Sequence, residues 1–408
     1  MCIKKFAFLS ACACVVLAGT ARAEIPASAY VQDGLIAQWD GIDNAGTGVR
    51  DAAATEWVDL KGGGGNLPLS GQTTNSWNDA GYLYLKPGGI TTPNKFTLGD
   101  LTIEVFANSY GNTFRRFEAV PWTQRMESWS TGEGFLERIT NTRLNVGAQA
   151  FNTDFAFVTT YRNKTHVARR YKDGVLQTSR SGTGDNATSV ANWPLAFLKS
   201  AASGAHIYSI RIYNRALSDD EIALNVNLDQ IRFNNAEPEA LVWPDGYRVA
   251  DGVINVRVLA DVKNGAGGTV QVEGAPAGAA STNWFPLGPS GVSVTATAAQ
   301  GYEFVRWAGD HGAADPASAA ILVSSGQARA LTAVFMAPDT EYWICDGGIL
   351  SNVVNHCALN ATLSGTNLTV TGVNDMHGTH VIDLTLPKYS PDFATAYAVT
   401  ALGNQAFY

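Results

Sequence analysis

One stretch limits what this chain can fold into more than any other: Ala205-His206-Ile207-Tyr208-Ser209-Ile210-Arg211-Ile212-Tyr213-Asn214-Arg215-Ala216-Leu217-Ser218-Asp219-Asp220-Glu221-Ile222. Tyr208, Ile210 and Ile212 alternate with Ser209, Arg211 and Tyr213, so a strand here shows one apolar face and one mixed face. Ser218 stands three residues before Glu221. At that spacing a hydroxyl accepts from an orphan helix N–H while the carboxylate reaches back to the cap. The phrase predicts a half-buried strand that ends directly in a short capped helix.

Further strands are legible upstream. Gly34-Leu35-Ile36-Ala37-Gln38-Trp39-Asp40-Gly41 opens the pattern, and Trp57-Val58-Asp59-Leu60 leads into Lys61-Gly62-Gly63-Gly64-Gly65-Asn66, whose glycines predict an exposed loop. Leu101, Ile103, Val105 and Ala107 alternate with Thr102, Glu104, Phe106 and Asn108, and 155–161 reads as another strand. Asp173-Gly174, between Val167–Lys172 and Val175-Leu176, supplies the positive φ angles of a two-residue type I′ hairpin. Charged residues make up only 16% of the chain and aromatics 10%, which suits strands and turns better than charged amphipathic helices. At 408 residues the chain is too long for one ordinary core.

These phrases together resemble laminin-G-like domains of the concanavalin A-like lectin/glucanase fold, from Tyr30 to Phe233. The resemblance implies a jelly-roll sandwich over 24–235. After a linker at 236–252, a second pattern occupies 253–337. It comprises the alternating Val253–Val258, Gly268–Val272 and Val292–Ala298, then Gly301-Tyr302-Glu303-Phe304-Val305-Arg306-Trp307-Ala308-Gly309-Asp310 and Leu331-Thr332-Ala333-Val334-Phe335. It resembles the internalin-type B repeats of bacterial surface proteins, which implies a small β-grasp-like unit used as a stalk or adhesion module. The last segment, 338–408, contains Ser364–Gly372 and ends in Val399–Tyr408. These resemble the leader and first unit of BspA-type leucine-rich repeats. A single repeat cannot bury its apolar face alone, so weak order is expected after Pro387. The expected fold class is all-β: a concanavalin A-like sandwich, a β-grasp-like repeat and a short, partly ordered C-terminal β segment.

The N-terminus reads as an export signal over 1–23: Lys4 and Lys5 precede an apolar run from Phe6 to Gly19, and Ala21-Arg22-Ala23 offers small residues for cleavage. Leu9-Ser10-Ala11-Cys12 gives the rival reading, a lipoprotein anchored at Cys12. The run is shorter than the roughly 20 residues of a membrane span, so no retained transmembrane segment is expected. Cleavage after Ala23 removes three of the 28 basic residues and none of the 36 acidic ones, turning a net charge of −8 into −11. An acidic exported chain without a basic stripe is a poor partner for phosphate backbones, so no nucleic acid is expected. Cys345 and Cys357 are the only cysteines left, and in an oxidising compartment they predict a disulfide, worth about 3 kcal/mol by loop closure. A two-thiol metal pair is the incomplete alternative.

His377-Gly378-Thr379-His380-Val381 has the wording of a subtilisin-like histidine motif, but only 28 residues follow His380 and none forms the serine motif. The glucanase branch needs carboxylates on one strand about 5 Å apart. Glu133 and Glu137 have Phe135 between them, while Asp100 looks like a turn residue beside Glu104, so all four are expected to be surface acids. The resemblance therefore implies no catalytic residues and a secreted or cell-surface protein that binds a glycan or another surface ligand. A glycoside hydrolase or lyase is one alternative, and a purely architectural spacer the other. Trp77, Tyr110, Trp122, Trp129 and Trp193, in or beside predicted loops, are the candidate sugar-stacking residues. Trp39, Trp57 and Trp307 sit within strand phrases and are expected in the core. Calcium is the one cofactor the resemblance allows, with Asp79, Asp154 and Asp185 as loop acids to hold it.

Overall fold

The computed structural model describes residues 25–403 apart from 70–75, 80, 86–89, 110–116, 119–125, 132–133, 140–141, 147–153, 163–166, 182–189, 194–195, 198–204, 289, 339, 355, 376–381 and 394; over 109–155 and 180–205 it describes the backbone alone. The protein is mostly β-structure, with one α-helix among the described residues. No described helix is long and apolar enough to cross a membrane.

The first module is built on an eight-stranded antiparallel sheet. Its main strands are β1 (Leu35–Asp40), β2 (Leu101–Ser109), β3 (Asp154–Arg162), β4 (Val167–Lys172), β5 (Val175–Ser181) and β6 (Ala205–Tyr213). They run in the order β5-β4-β3-β2-β6, and the short strands Leu83–Leu85 and Ser76–Trp77 extend the sheet beyond β6. Strand β6 is the hub, as its sequence suggests. One side pairs with β2 along its length; the other pairs with Leu83–Leu85 at its start and with β1 at its end.

A bulge between Ile207 and Ser209 changes the expected facing. Tyr208 leaves the company of Ile210 and Ile212 and joins Tyr213 in the cluster beneath the helix, because the extra residue flips the alternation. That helix, α1 (Asp219–Asn234), starts at the predicted cap: Ser218 accepts from the Glu221 N–H at 3.2 Å and the Glu221 carboxylate accepts from the Ser218 N–H at 2.8 Å. Ile222, Leu224, Val226, Leu228, Ile231 and Phe233 pack on Phe106, Ala156, Val158 and Tyr171 of the sheet. Leu101, Ile103, Val105 and Ala107 alternate to the opposite face and are equally buried. The sheet is thus covered on both sides.

Two local readings change on contact with the fold. The glycine-rich turn at 61–66 is exposed only in part: Gly64 is buried against Trp39, where a Cβ would stand 2.3 Å from the indole. The Asp59 carboxylate fixes this turn by accepting from the backbone N–H groups of Gln38, Lys61, Gly64 and Gly65. The stretch read as a linker carries a strand, Tyr247–Ala250, paired with Val253–Val262, and Leu241, Trp243, Tyr247 and Val249 pack on the cluster around α1.

The second unit joins Val253–Val262 in parallel to Arg329–Met336, flanked by Glu303–Gly309 and Ala280–Pro286, over a three-stranded sheet of 268–272, 291–298 and 320–324. Trp307 is fully buried in its core, with Val258, Val294 and Ala333. The C-terminal segment corrects the expectation of a frayed repeat. Trp343–Asp346, Ile349–Asn352, Ala358–Ser364, Asn367–Asp375, Lys388–Tyr389 and Ala396–Leu402 close into a six-stranded barrel. The last two strands lie beyond Pro387 and complete the ring, so the described part of this segment forms a barrel and shows no leucine-rich repeat.

The expected disulfide is absent for a topological reason. Cys345 and Cys357 are buried in the barrel core as thiols. Cys345 pairs with Leu350, whereas Cys357 accepts from the N–H of Asn352 on the other edge of the same strand. With strands about 4.8 Å apart, one intervening strand separates the two Cα atoms by about 10 Å. A bridge needs roughly 4.4–6.8 Å. Burial pushes the Cys345 thiol pKa up, so it behaves as a small apolar side chain.

Candidate functional site

Two polar constellations stand out in the first module, one sealed and one open. The sealed one lies between the sheet and α1. Arg211 on β6 donates from Nε to Glu104 Oε2 at 2.7 Å, and from Nη1 and Nη2 to the two oxygens of Asp229 at 3.0 and 2.5 Å. Arg211 and Glu104 are each 1% exposed. Asn225 donates to Glu104 at 2.8 Å and to the Tyr213 hydroxyl at 2.9 Å, while Tyr30 donates to Asp229 at 2.7 Å. Arg232 clamps Asp40 through both terminal nitrogens, and Arg211 lies 3.9 Å from the Tyr30 ring centroid.

Glu104 was expected to be a surface acid and is the opposite. Burial, offset in part by Arg211, raises its carboxyl from 4.5 to about 7. One guanidinium serves two carboxylates here, and Glu104 Oε1 is buried without a hydrogen-bond partner. A raised carboxyl in a cleft marks a general acid; this one is enclosed by α1 and the sheet, where no substrate reaches it. Its work is to hold the helix.

The open constellation follows from strand register. His206 pairs with Tyr84 on one side and with Asn108 on the other, and Asn108 pairs with Asp154. Directly paired residues share a face, so Tyr84, His206 and Asn108 form one row across three strands. Tyr82 completes it: its ring lies parallel to the His206 imidazole, with centroids 4.0 Å apart and an interplanar angle of 11°. Tyr84 meets the same imidazole edge-on at 5.5 Å. Tyr82, Tyr84, His206 and Asn108 are all half-buried. The row lies on the face that carries α1, beyond Phe233 at the helix C-terminal end, with Tyr208 joining the two. Ring faces beside an amide position can take the C–H edge of a pyranose and its hydroxyls together.

The residues singled out from sequence are not brought together. Trp77 is half-buried on the strand Ser76–Trp77, pairs with Leu83, meets Trp57 edge-on at 5.3 Å and donates its indole N–H to Ala54 O at 3.2 Å. That places it on the core side of the sheet, away from the row. Trp129 and Trp193 lie on strands paired with Leu136 and Phe96, and their side chains are outside the described residues, as are Tyr110 and Trp122. Trp39, Trp57 and Trp307 are core residues, as expected.

Among the loop acids, Asp79 is 97% exposed on its side chain and pairs with Arg50 at 2.5 Å, a cation that competes with any metal. Asp154 opens β3 and so is a strand residue, and Asp185 lies outside the described residues. The described residues contain no group of three or more His, Cys, Asp or Glu that could hold a metal ion. Glu133, His377 and His380 are outside the described residues, and of Glu137 only the backbone is described. The row has a local signal in the sequence. In Tyr82-Leu83-Tyr84-Leu85 two aromatics alternate with two leucines.

Residues 258–338 match the family described as the divergent InlB B-repeat domain. No curated protein matches the chain. Among solved structures, the Trypanosoma rangeli sialidase in complex with sialic acid is 13% identical with a TM-score of 0.34, over 48% of this chain and 33% of that one. Domain 4 of AbnA, a GH43 extracellular arabinanase from Geobacillus stearothermophilus in complex with arabinotriose, is 15% identical with a TM-score of 0.37, over 48% of this chain and 99% of that one. The CBM40 of Ruminococcus gnavus IT-sialidase, bound to α2,3-sialyllactose, is 13% identical with a TM-score of 0.28, over 35% and 96%. The match spans about a third of the first sialidase's length. At these scores the likenesses leave both fold and ligand unassigned.

Proposed function

We propose that this is an exported, non-catalytic surface protein whose first module, a laminin-G-like jelly roll, binds glycan, with the B-repeat as spacer. The observation that carries the reading is the row Tyr84–His206–Asn108, with Tyr82 laid on the imidazole. It offers ring surface and hydrogen-bonding positions on one rigid sheet face, so little ordering is left for binding to impose. The match of 258–338 to a B-repeat family is in keeping with a spacer.

The buried carboxylates of the first module are held by structural partners. Asp40, Glu104 and Asp229 face arginines, and Asp59 faces backbone N–H groups. None of them is set opposite a second carboxylate across an open cleft, the arrangement that glycoside hydrolysis uses.

Calorimetric titration of the mature protein with plant and host-type oligosaccharides tests the site. Tyr84→Ala and His206→Ala are each expected to lower affinity at least tenfold, while Arg50→Ala leaves it unchanged. Affinity that survives both row substitutions would place the site elsewhere.

A further inference from the structure

A second polar site lies at the junction of the first module with the B-repeat. Gln32 and Asp33 of the sandwich face Asp310, His311, Gln327 and Arg329 of the repeat across a cleft of about 420 Å³. A recess of about 160 Å³ adjoins it and shares Gln32, Gln327 and Arg329. The size suits a guest of about two sugar rings, and module junctions are where such clefts form.

The cleft is pre-organised and electrically balanced. Arg329, 11% exposed on its side chain, is tied to Asp310 through Nη1 and to Ser324 O through Nε at 3.4 Å. Gln327 donates to the second oxygen of Asp310 at 2.9 Å, and the Gly312 N–H donates to the first at 3.3 Å. Asp33 is paired with Arg215 at 2.8 Å. Each acid of the lining therefore meets a guanidinium, and the Lys61 ammonium beside the cleft is engaged by Gln32 Oε1 at 2.5 Å, so the lining carries no unpaired carboxylate for a cationic guest.

Hydrogen-bonding capacity remains. Arg329 has five N–H groups, and its bonds to Asp310 and Ser324 use two. His311 lines the cleft, and its Nδ1 sits 3.0 Å from Ala314 O, which leaves Nε2 as the ring's second polar atom. Gly312, at φ +60°, keeps the loop close: a Cβ there would stand 3.2 Å from the guanidinium.

We propose that this cleft binds a neutral polyhydroxylated ligand, the size of a disaccharide, through Arg329, His311, Gln327 and Gln32. The ligand's class rests on the glycan reading above; the site does not, since its walls come from two modules and contain none of the row residues. Ala313 is exposed on the rim, so a large side chain there fills the cleft without entering the core.

The test is calorimetric titration of the mature protein and its variants with lactose, cellobiose and maltose, with inorganic phosphate and glucuronate as charged probes. A neutral disaccharide is expected to bind, with at least a tenfold loss in Ala313→Trp and in Arg329→Gln and no change in Arg50→Ala. Far-UV circular dichroism and the thermal midpoint show whether each variant is folded, and Ala313→Trp carries the test if Arg329→Gln is not. The proposal is overturned if no neutral disaccharide binds, if the anions bind instead, or if binding survives Ala313→Trp. Binding lost only in Tyr84→Ala would remove the cleft and keep the sheet face; binding lost only in Ala313→Trp would do the reverse.

Discussion

At the scale of single residues, Arg211 is the position on which most of the first module's polar order depends. It neutralises Asp229 and shares itself with Glu104, and it stacks on Tyr30, so three chain segments meet at one guanidinium. Arg211→Met leaves two buried carboxylates without a cation and is expected to cost about 3–5 kcal/mol, read as a lower denaturant midpoint. Glu104 gives a pH signature. Its carboxyl titrates near 4.5 when exposed and near 7 in the fold, so the folded protein holds a proton that the unfolded chain releases across that window. Its contribution to stability is full below 4.5 and is lost as pH rises through 7. Glu104→Gln should flatten the pH dependence of the thermal midpoint between those values; an unchanged slope would assign it to another group. Neither effect was readable from sequence. The alternation of 101–108 places Glu104 on a strand face correctly, but its partner Arg211 is 107 positions away and a helix seals the pair.

At the scale of elements, strand β6 and helix α1 were the legible part, because capping boxes and period-two alternation are local chemistry. The Asp173-Gly174 turn was equally local: its φ angles are 49° and 78°, as a type I′ turn requires. What local pattern could not show was the bulge at 207–209, which sends Tyr208 to the helix side, or the strand that separates Cys345 from Cys357. Both are products of pairing between distant segments. The cap itself is testable. Ser218→Ala removes the hydrogen bond to Glu221 N and should cost about 1 kcal/mol, a drop of about 2–4 °C in the midpoint of a module this size. The Arg215–Glu221 ion pair stays in place in that variant, so a larger loss would mean that the cap positions more than the helix end.

At the scale of the whole molecule, the three modules are continuous through apolar contact. Ile254 and Leu287 of the second unit pack on the cluster around α1, and Phe393 of the barrel packs on Ala308 and Val334 of the repeat. Lys263 reinforces the second junction by donating to Phe393 O at 2.8 Å beneath the Tyr389 ring. Phe393→Ala should loosen that junction and expose 337–340 to limited proteolysis, with the repeat and barrel released as separate stable fragments. An unchanged cleavage pattern would show that the junction does not depend on this ring. The repeat was legible because its wording is that of a known unit, whereas the barrel was hidden by a resemblance to a repeat that its closing strands do not follow.

The row on the sheet face is not legible in the sequence as a whole, because register between distant strands brings Tyr84, His206 and Asn108 together and no local pattern connects them. The most direct test of recognition without catalysis is a glycan array probed with the mature protein, its Tyr84→Ala variant and an assay for released reducing ends. Discrete array signals are expected, with those that depend on the sheet face lost in Tyr84→Ala, and with no reducing ends formed from any glycan bound. Release of reducing ends by the wild-type protein, or array signals all indifferent to Tyr84, would contradict the account.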